Sequence, residues 1–460
     1  MTISDTLDQI KASSARAVVE NSIKLAGDNQ DYHAMLSLTA DRALKRADEV
    51  DSGRITGKLA GVPFVVKDNF LAFGAPTTAA SKMLENFDAP LQATAVEKLE
   101  AEGAICIGKA NLDAFAHGGS TENSAFGPTE NAYDKSRVAG GSSGGSAVVT
   151  ALGVVPFALG SDTGGSIRQP ASFNGVVGVK PTYGTVSRYG VVAMASSTDV
   201  IGSFTSNASD AELIMDIISG KDERDMTSLP DFFEIQSDAK PKQKIGLIKD
   251  FMTDDVDSEV RDRVNDYIER LRNDGHEVVE VNLPMAEFAL AIYYIIVPAE
   301  LSSNLARYDG IRYGYRAQGV KTLAELYGKT RDEGFVTENK RRIMIGSYVL
   351  SSGYFDAYYL QAQKARTMLI NEFNKLFEKY DVLIGPVAPT PAFKLGENTS
   401  DPIKMYLNDI MTVPTSLAGL PAISVPAGNS KSGLPIGVQL MGPRQSDASL
   451  LALARAMEVK

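Results

Sequence analysis

The sequence contains no tryptophan, one cysteine and three histidines among its 460 residues. The single cysteine, Cys106, excludes a disulfide framework and a thiolate metal cluster, and its apolar surroundings predict a buried strand residue. The three histidines are dispersed, so we expect no metal site. No apolar run approaches the ~18 uninterrupted residues of a membrane-spanning helix, and the N-terminus lacks the basic and apolar regions of a signal peptide. We therefore predict a cytoplasmic protein with no membrane partner.

Positive charge is also in short supply, because the net charge is −11 and the isoelectric point is about 5.0. An acidic chain of this kind is unsuited to binding a nucleic acid directly over a wide face, although a partner subunit could present one. The hydrophobic fraction of 44% is that of a chain able to bury a large core. A direct nucleic-acid-binding module is therefore disfavoured.

Strand-like and helix-like segments alternate along the chain, which predicts an α/β fold. The predicted strands are 61–66, 104–107, 155–159, 245–250, 276–283, 381–386, 422–428 and 436–442. The predicted helices are two within 5–50, then 94–102, 111–116, 146–152, 210–219, 256–271 and most of 284–380. We expect one domain over 1–460, with N-terminal helices in 1–55, a core in 60–205 and a helical cap over about 284–380. The polar segment 220–244 is predicted to be an exposed excursion.

Two clusters of glycine and serine stand out, GGSSGGS at 140–146 and GSDTGGS at 160–166. An apolar run separates them, which argues against a flexible linker, and the absence of GxxxxGK[ST] argues against a phosphate loop. Glycines allow backbone N–H groups to approach a reacting centre closely, as an oxyanion site requires. Ser166 ends the second cluster just before a potential helix. The predicted nucleophile is Ser166, the predicted oxyanion donors are the N–H groups of Thr163, Gly164, Gly165 and Ser166, and Ser142 and Ser143 offer further hydroxyls.

A serine nucleophile needs a base, and the sequence offers two candidates. Lys67 ends the apolar run VPFVV, and a lysine buried at a strand end can lose its proton because burial disfavours the ammonium form. An ion pair with the adjacent Asp68 is the alternative role for this lysine. His117 is the rival base, since His33 and His276 lie in segments that predict surface or structural positions. Asp162 and Arg168 are expected to form a local ion pair that holds the loop.

The motifs VKDN around Lys67, GGSSGGS at 140–146 and GSDTGGSIRQPA at 160–171 together resemble the amidase signature family of Ser-Ser-Lys hydrolases. The resemblance implies a mixed central β-sheet sandwiched by helices. It also implies that Lys67, Ser142 and Ser166 form the catalytic set, with a cis peptide bond between Gly141 and Ser142.

Stretches outside these motifs, including STENSAFGPT at 120–129 and the segment 340–366, resemble one branch of the family, the A subunits of bacterial glutamyl/aspartyl-tRNA amidotransferases. The branch implies a heterotrimer with B and C subunits, in which this chain hydrolyses glutamine and the ammonia amidates a misacylated Glu-tRNA or Asp-tRNA held mainly by the partner. It also implies that ATP and Mg²⁺ are used by the partner and that this chain has no cofactor.

The same branch implies that Arg342 and Asp409 contact glutamine, with Tyr293 and Ser143 nearby. One departure is His117, where the branch commonly has methionine. Two other functions stay open. A free-standing amidase of small amides would not need Arg342 and Asp409, and a non-catalytic scaffold would be expected to lack one of the three catalytic residues, all of which are present.

Overall fold

The computed structural model describes residues 1–236, 240, 242–399 and 401–458. Within these residues, eleven strands form one sheet. The strands are β1 (Met35–Leu38), β2 (Pro63–Lys67), β3 (Ile105–Ala110), β4 (Phe157–Asp162), β5 (Val177–Lys180), β6 (Val200–Thr205), β7 (Lys244–Ile248), β8 (Glu277–Val281), β9 (Val382–Pro386), β10 (Ala422–Asn429) and β11 (Pro435–Met441). Positions 237–239 and 241 of the predicted polar excursion lie outside the described residues.

The sheet is mixed, with the strand order β1-β3-β2-β4-β6-β5-β10-β11-β9-β7-β8. Strands β3, β2 and β4 are mutually parallel, as are β9, β7 and β8, whereas the remaining neighbours are antiparallel. Helices cover the sheet, so the predicted α/β class is confirmed. The sheet runs without a break from β1 to β8, which favours the prediction of one domain.

Helices account for most of the remaining structure. The α-helices are α1 (Ile3–Ala12), α2 (Ala15–Asp28), α3 (Ala40–Asp51), α4 (Thr94–Ala101), α5 (Gly144–Ala151), α6 (Arg168–Phe173), α7 (Ala208–Ile218), α8 (Ser258–Asn273), α9 (Ala286–Asn304), α10 (Leu323–Gly334), α11 (Thr337–Val349), α12 (Leu360–Phe377), α13 (Pro402–Leu407), α14 (Val413–Leu417) and α15 (Asp447–Ala456). A short 3-10 helix, Ala114–Ala116, takes the place of the helix expected over 111–116.

The central strands are buried on both faces, which explains why their sequences are continuously apolar. In β2, Phe64 and Val66 belong to one core cluster and Val65 belongs to the cluster on the opposite face. Side chains alternate between the faces of a strand, so an apolar run such as VPFVV suits a strand with helices on both sides. This burial carries Lys67 into the interior at the end of β2.

Three strands are absent from the sequence-based prediction. The segment 5–50, expected to hold two helices, forms α1, α2 and α3 with β1 between the last two. Strand β1 pairs with β3 in antiparallel register, Met35 opposite Ala110. Strands β5 and β6 pair with each other and link β4 to β10. Strands as short as β1 and β5, each four residues long, carry little periodicity and depend on neighbours that are distant in sequence.

Helix α9 is the one segment among the described residues that is long and apolar enough to cross a membrane, over Ala286–Arg307 with 56% of the window buried. Its buried residues, which include Ile292, Ile296 and Val297, belong to the large core cluster. Packing against α11 and α12 therefore accounts for its apolar character. The same helix brings Tyr293 to the loop that follows β4.

Candidate active site

The candidate site lies where β2 and β4 end. These strands are parallel neighbours, with Val66 opposite Leu159, so Lys67 and Asp162 reach the same edge of the sheet. Sites in such sheets collect at the carboxyl ends of parallel strands. The loop before α5 reaches the same place, because the N–H of Ser143 donates to the carbonyl of Ser166 at 3.2 Å. The peptide bond between Gly141 and Ser142 is cis, as the resemblance implied.

Lys67 is fully buried and lies between two serines. Its Nζ donates to Ser142 Oγ at 2.7 Å and to Ser161 Oγ at 2.9 Å. Burial lowers the pKa of Lys67 to about 7, although the carboxylates of Asp113 and Asp162 oppose this change. An amine with such a pKa is uncharged in a large fraction of molecules near neutral pH and can accept a proton. Asp68, the alternative partner, is instead paired with Lys109 Nζ at 2.7 Å.

Asp162 shapes the loop after β4. Its carboxylate accepts from the N–H groups of Gly165 at 2.9 Å and Ile167 at 3.1 Å, and it pairs with Arg168 at 3.0 Å. Arg168 is fully buried and also donates to the carbonyl of Thr412 at 2.9 Å. The predicted ion pair between Asp162 and Arg168 is therefore confirmed, and it fixes the turn that carries Ser166.

Backbone donors remain available in this turn. Within the described part of the chain, the N–H groups of Thr163, Gly164 and Ser166 have no protein acceptor. The N–H of Gly165 already donates to Asp162, so it could reach an oxyanion only by sharing or leaving that bond. The four-residue oxyanion site stays a prediction, and the geometry favours Thr163, Gly164 and Ser166 as its first donors.

The two glycines of the turn allow close packing. Gly165 has a φ of 144°, a region that side chains rarely adopt. A Cβ on Gly164 would lie only 2.8 Å from the ring of Tyr293. Tyr293 thus packs directly against the turn that carries Ser166, while Thr412 Oγ1 donates to the carbonyl of Gly164 at 2.6 Å. The structure therefore places the predicted substrate residue Tyr293 beside the predicted nucleophile.

Arg342, on α11, is buried and held along one edge. Its Nε donates to Glu338 Oε1 at 2.7 Å, and its guanidinium lies over the rings of Tyr294 at 5.3 Å and Tyr406 at 5.4 Å. Such stacking stabilises a desolvated cation. Among the described residues, no acceptor meets the two terminal amino groups of Arg342. The fork of Arg342 is thus fixed in place and free for a carboxylate.

Asp409 precedes α14 and is also free of protein partners. No hydrogen bond or ion pair to its carboxylate is present in the described ranges, and it forms no ion pair with Arg342. A Cβ on Gly119 would lie 3.6 Å from Asp409 Oδ1, so the carboxylate lies against the loop around Gly119. Burial raises the pKa of Asp409 to about 7, and Arg342 opposes this change. A ligand ammonium group would restore the charged form.

His117, the rival base, is not connected to the serines. Its ring is buried with its Nδ1 2.5 Å from Asn339 Nδ2, and no hydrogen bond within the described residues joins it to Ser142 or Ser166. Burial lowers the pKa of His117 well below its usual value, and the positive charges of Arg342 and Lys67 act in the same direction. The geometry favours Lys67 as the base.

Several residues of the site are not identified by the sequence. Ser161 Oγ accepts from both Lys67 and Asn69 Nδ2, the latter at 3.1 Å, and Ser143 Oγ donates to the carbonyl of Ser161 at 3.1 Å. Gln169 Oε1 accepts from the N–H of Gly141 at 2.9 Å. Ser161 and Gln169 lie within the second motif, so its boundaries are a signal, but only tertiary contacts reveal their partners. Cys106 is buried in β3, as predicted.

Comparison with known proteins agrees with this geometry. The Amidase family model matches residues 17–451. The chain is 50% identical over 459 residues to the A subunit of the glutamyl-tRNA(Gln) amidotransferase from Koribacter versatilis, and the match covers 98% of this chain and 96% of that protein.

Solved structures show the same fold. The A subunit of the glutamyl-tRNA(Gln) amidotransferase from Thermotoga maritima matches with a TM-score of 0.83 at 40% identity, over 100% of this chain and 94% of that one. A bacterial aryl acylamidase of the amidase signature family matches with a TM-score of 0.86 at 26% identity, over 100% of this chain and 96% of that one. The fold is therefore shared by both kinds of enzyme, whereas the sequence is closer to the first.

Proposed function

This chain belongs to the amidase family, and on that basis we propose that it is the glutamine-hydrolysing subunit of a cytoplasmic tRNA-dependent amidotransferase. The observation that carries the proposal is the pair of unpartnered charges, Arg342 and Asp409, beside the Lys67 and Ser142 pair. Glutamine is a zwitterion, and a site that selects it needs a cation for its α-carboxylate and an anion for its α-ammonium group. Arg342 and Asp409 supply both.

The first half of the reaction forms an ester. Ser166 Oγ attacks the side-chain amide carbon of glutamine, its proton passes to Ser142 Oγ, and the proton of Ser142 passes to the neutral amine of Lys67. The negative charge that develops on the carbonyl oxygen is stabilised by backbone N–H groups of the turn that carries Ser166. Lys67 then returns the proton through Ser142 to the departing nitrogen, the carbon–nitrogen bond breaks, and ammonia leaves.

The second half repeats these transfers with water. Water attacks the ester carbon while Lys67, through Ser142, accepts its proton. The bond to Ser166 Oγ breaks, Ser166 regains a proton, and glutamate is released. The 2.7 Å contact between Lys67 and Ser142 and the bond from the N–H of Ser143 to Ser166 support this order of transfers.

The partners in this proposal are the B and C subunits of a heterotrimer. The relatives at about half identity carry the name of one component of an amidotransferase, which supports a role within a complex. ATP and Mg²⁺ would be used by the partner that activates the tRNA-linked carboxylate. Among the described residues, no group of three or more His, Cys, Asp or Glu side chains could hold a metal ion.

The isolated chain is expected to show no amidation of Glu-tRNA with ATP and either nitrogen donor, because it would lack the partner that activates the carboxylate. Supplying recombinant B and C subunits should restore amidation with glutamine or ammonium. Product formation is followed by separating glutaminyl-tRNA from glutamyl-tRNA. ATP-dependent amidation by the pure chain would contradict this division of labour.

Arg342→Ala or Asp409→Asn is expected to lower kcat/KM for glutamine by at least about 30-fold, since losing one partner of a desolvated charge pair typically costs about 2 to 5 kcal/mol. Hydrolysis of a short neutral amide, which is slow in the parent enzyme, should change little. Both substrates are measured on both variants by ammonia release.

The matched control is Lys340→Ala, which removes a partly exposed cation from the same helix, where it pairs with Asp332 at 2.8 Å. This control should retain glutamine hydrolysis within about twofold, as is usual for exposed ion pairs. Equal losses on glutamine and on the neutral amide would mean that Arg342 and Asp409 support the fold or the catalytic set. Unchanged glutamine kinetics would remove them from the site and favour a free-standing amidase.

A further inference from the structure

His117 is buried beside the candidate site, and its hydrogen bonds define where its proton lies. Asn339 Nδ2 donates to the carbonyl of Ala114 at 2.9 Å and lies 2.5 Å from His117 Nδ1. A nitrogen that faces an amide NH₂ group must act as an acceptor, so Nδ1 carries no proton. Burial keeps the pKa of this imidazole well below its usual value, and the neutral ring therefore carries its proton on Nε2.

The Nε2–H group of His117 has no partner in the described part of the chain, although it is fully buried. A buried donor without an acceptor is unfavourable, and native proteins keep few of them. Such a group at an enzyme site is a candidate for a bond that forms only with ligand. The carboxamide oxygen of Asn339 is likewise buried and unpartnered.

The surroundings of His117 connect it to both ends of the site. Asn339 lies three residues before Arg342 on α11, so the two side chains project from adjacent positions on one helix face. Two residues after His117, the chain passes Asp409 at Gly119. The positive charges of Arg342 and Lys67 are both close enough to act on the imidazole.

We propose that His117 Nε2–H is a third binding group for the amino-acid substrate and donates to an oxygen of its α-carboxylate. This inference rests on the proposed function. A carboxylate has about four acceptor positions and the fork of Arg342 occupies two of them, so a further donor can be accommodated. The donor must be neutral, because Arg342 and Asp409 already balance the two charges of a zwitterion. The fixed tautomer of His117 meets this requirement.

The branch that the sequence resembles commonly has methionine at this position, so the extra donor distinguishes this chain from such relatives. Methionine has a similar length but no N–H group, and His117→Met should fold because the fold already accommodates it elsewhere in the branch. His117→Gln can present an amide N–H in its place and serves as the conservative variant.

The direct test uses nitrogen-15-labelled histidine, because the chain has only three imidazoles, those of His33, His117 and His276. The spectrum is recorded on Ser166→Ala protein, which binds glutamine without turning it over. Saturating glutamine should shift the Nε2 signal of His117, assigned by its loss in His117→Met, and leave the other two in place. A simple neutral amide, which lacks the α-carboxylate, should not reproduce the shift. An unchanged His117 signal in glutamine-saturated protein would overturn the inference.

Calorimetry supplies the second measurement. In the Ser166→Ala background, His117→Met should raise the Kd for glutamine by about tenfold, the effect expected for a hydrogen bond to a charged group, and His117→Gln should recover part of it. Equal affinity in all three proteins would contradict the inference. A failure of the proposed function gives a different result, since glutamine would then bind to none of them and the parent enzyme would not hydrolyse it.

Discussion

Replacing Ser166 by alanine is expected to lower glutamine hydrolysis by at least about 10⁴-fold, because the variant has no atom to form the ester. Ser166 is slightly exposed, whereas Ser142 is fully buried and bound to Lys67, so only Ser166 combines access to substrate with a position on the donor-rich turn. The measurement is ammonia or glutamate release at saturating glutamine.

Ammonium provides the control for this variant. In the assembled complex, Ser166→Ala should still amidate misacylated tRNA when ammonium replaces glutamine, because the partner's chemistry needs only a nitrogen nucleophile. Loss of both activities would indicate misfolding or failed assembly. Retained glutamine hydrolysis would show that another group is the nucleophile.

Lys67→Arg is expected to be nearly inactive on glutamine and on a neutral amide, with losses of at least about 10³-fold, because guanidinium stays protonated and cannot accept a proton. The substitution keeps a long basic side chain in the buried position, so it separates proton acceptance from positive charge. His117→Ala should lose far less activity than Lys67→Arg. The reverse order would favour a histidine base.

The pH profile tests the same residue in the parent enzyme. Burial lowers the pKa of Lys67 to about 7, and below that pH the ammonium form predominates. Since the mechanism requires the neutral amine, kcat/KM for a neutral amide should fall about tenfold for each pH unit below 7 and level off above it. Glutamine adds a second titration in the same direction, because Asp409 must be charged and its pKa is also raised to about 7. A neutral amide therefore isolates Lys67, and a flat profile with that substrate would contradict its role.

The local part of the site could be predicted from sequence, because the two glycine-rich motifs and the strand that ends at Lys67 are short and distinctive. The interactions that join them could not. Strands β2 and β4 are parallel neighbours separated by about 90 residues of chain, and only their pairing brings Lys67 to Ser161. The sequence predicts a free N–H donor at Gly165, but whether Asp162 engages it depends on side-chain geometry that a motif does not encode.

Residues of the helical cap are harder to predict. Arg342 and Asp409 are identified only through a resemblance, since a lone arginine on a helix is ordinarily a solvated residue. Their unpaired charges become apparent only when Glu338, Tyr294 and Tyr406 are seen around Arg342. In the same way, the role inferred for His117 depends on Asn339, which lies 222 residues away in the sequence.

The most direct test of the whole account is mass spectrometry of the complex quenched in acid within its first turnovers of glutamine. A glutamyl ester should be found on the peptide that contains Ser166 and should disappear in Ser166→Ala. In Ser142→Ala the ester should form too slowly to be seen at that time. A glutamyl adduct on any other residue, or an adduct that persists when Ser166 is replaced, would contradict the assignment of the nucleophile and with it the proposed relay.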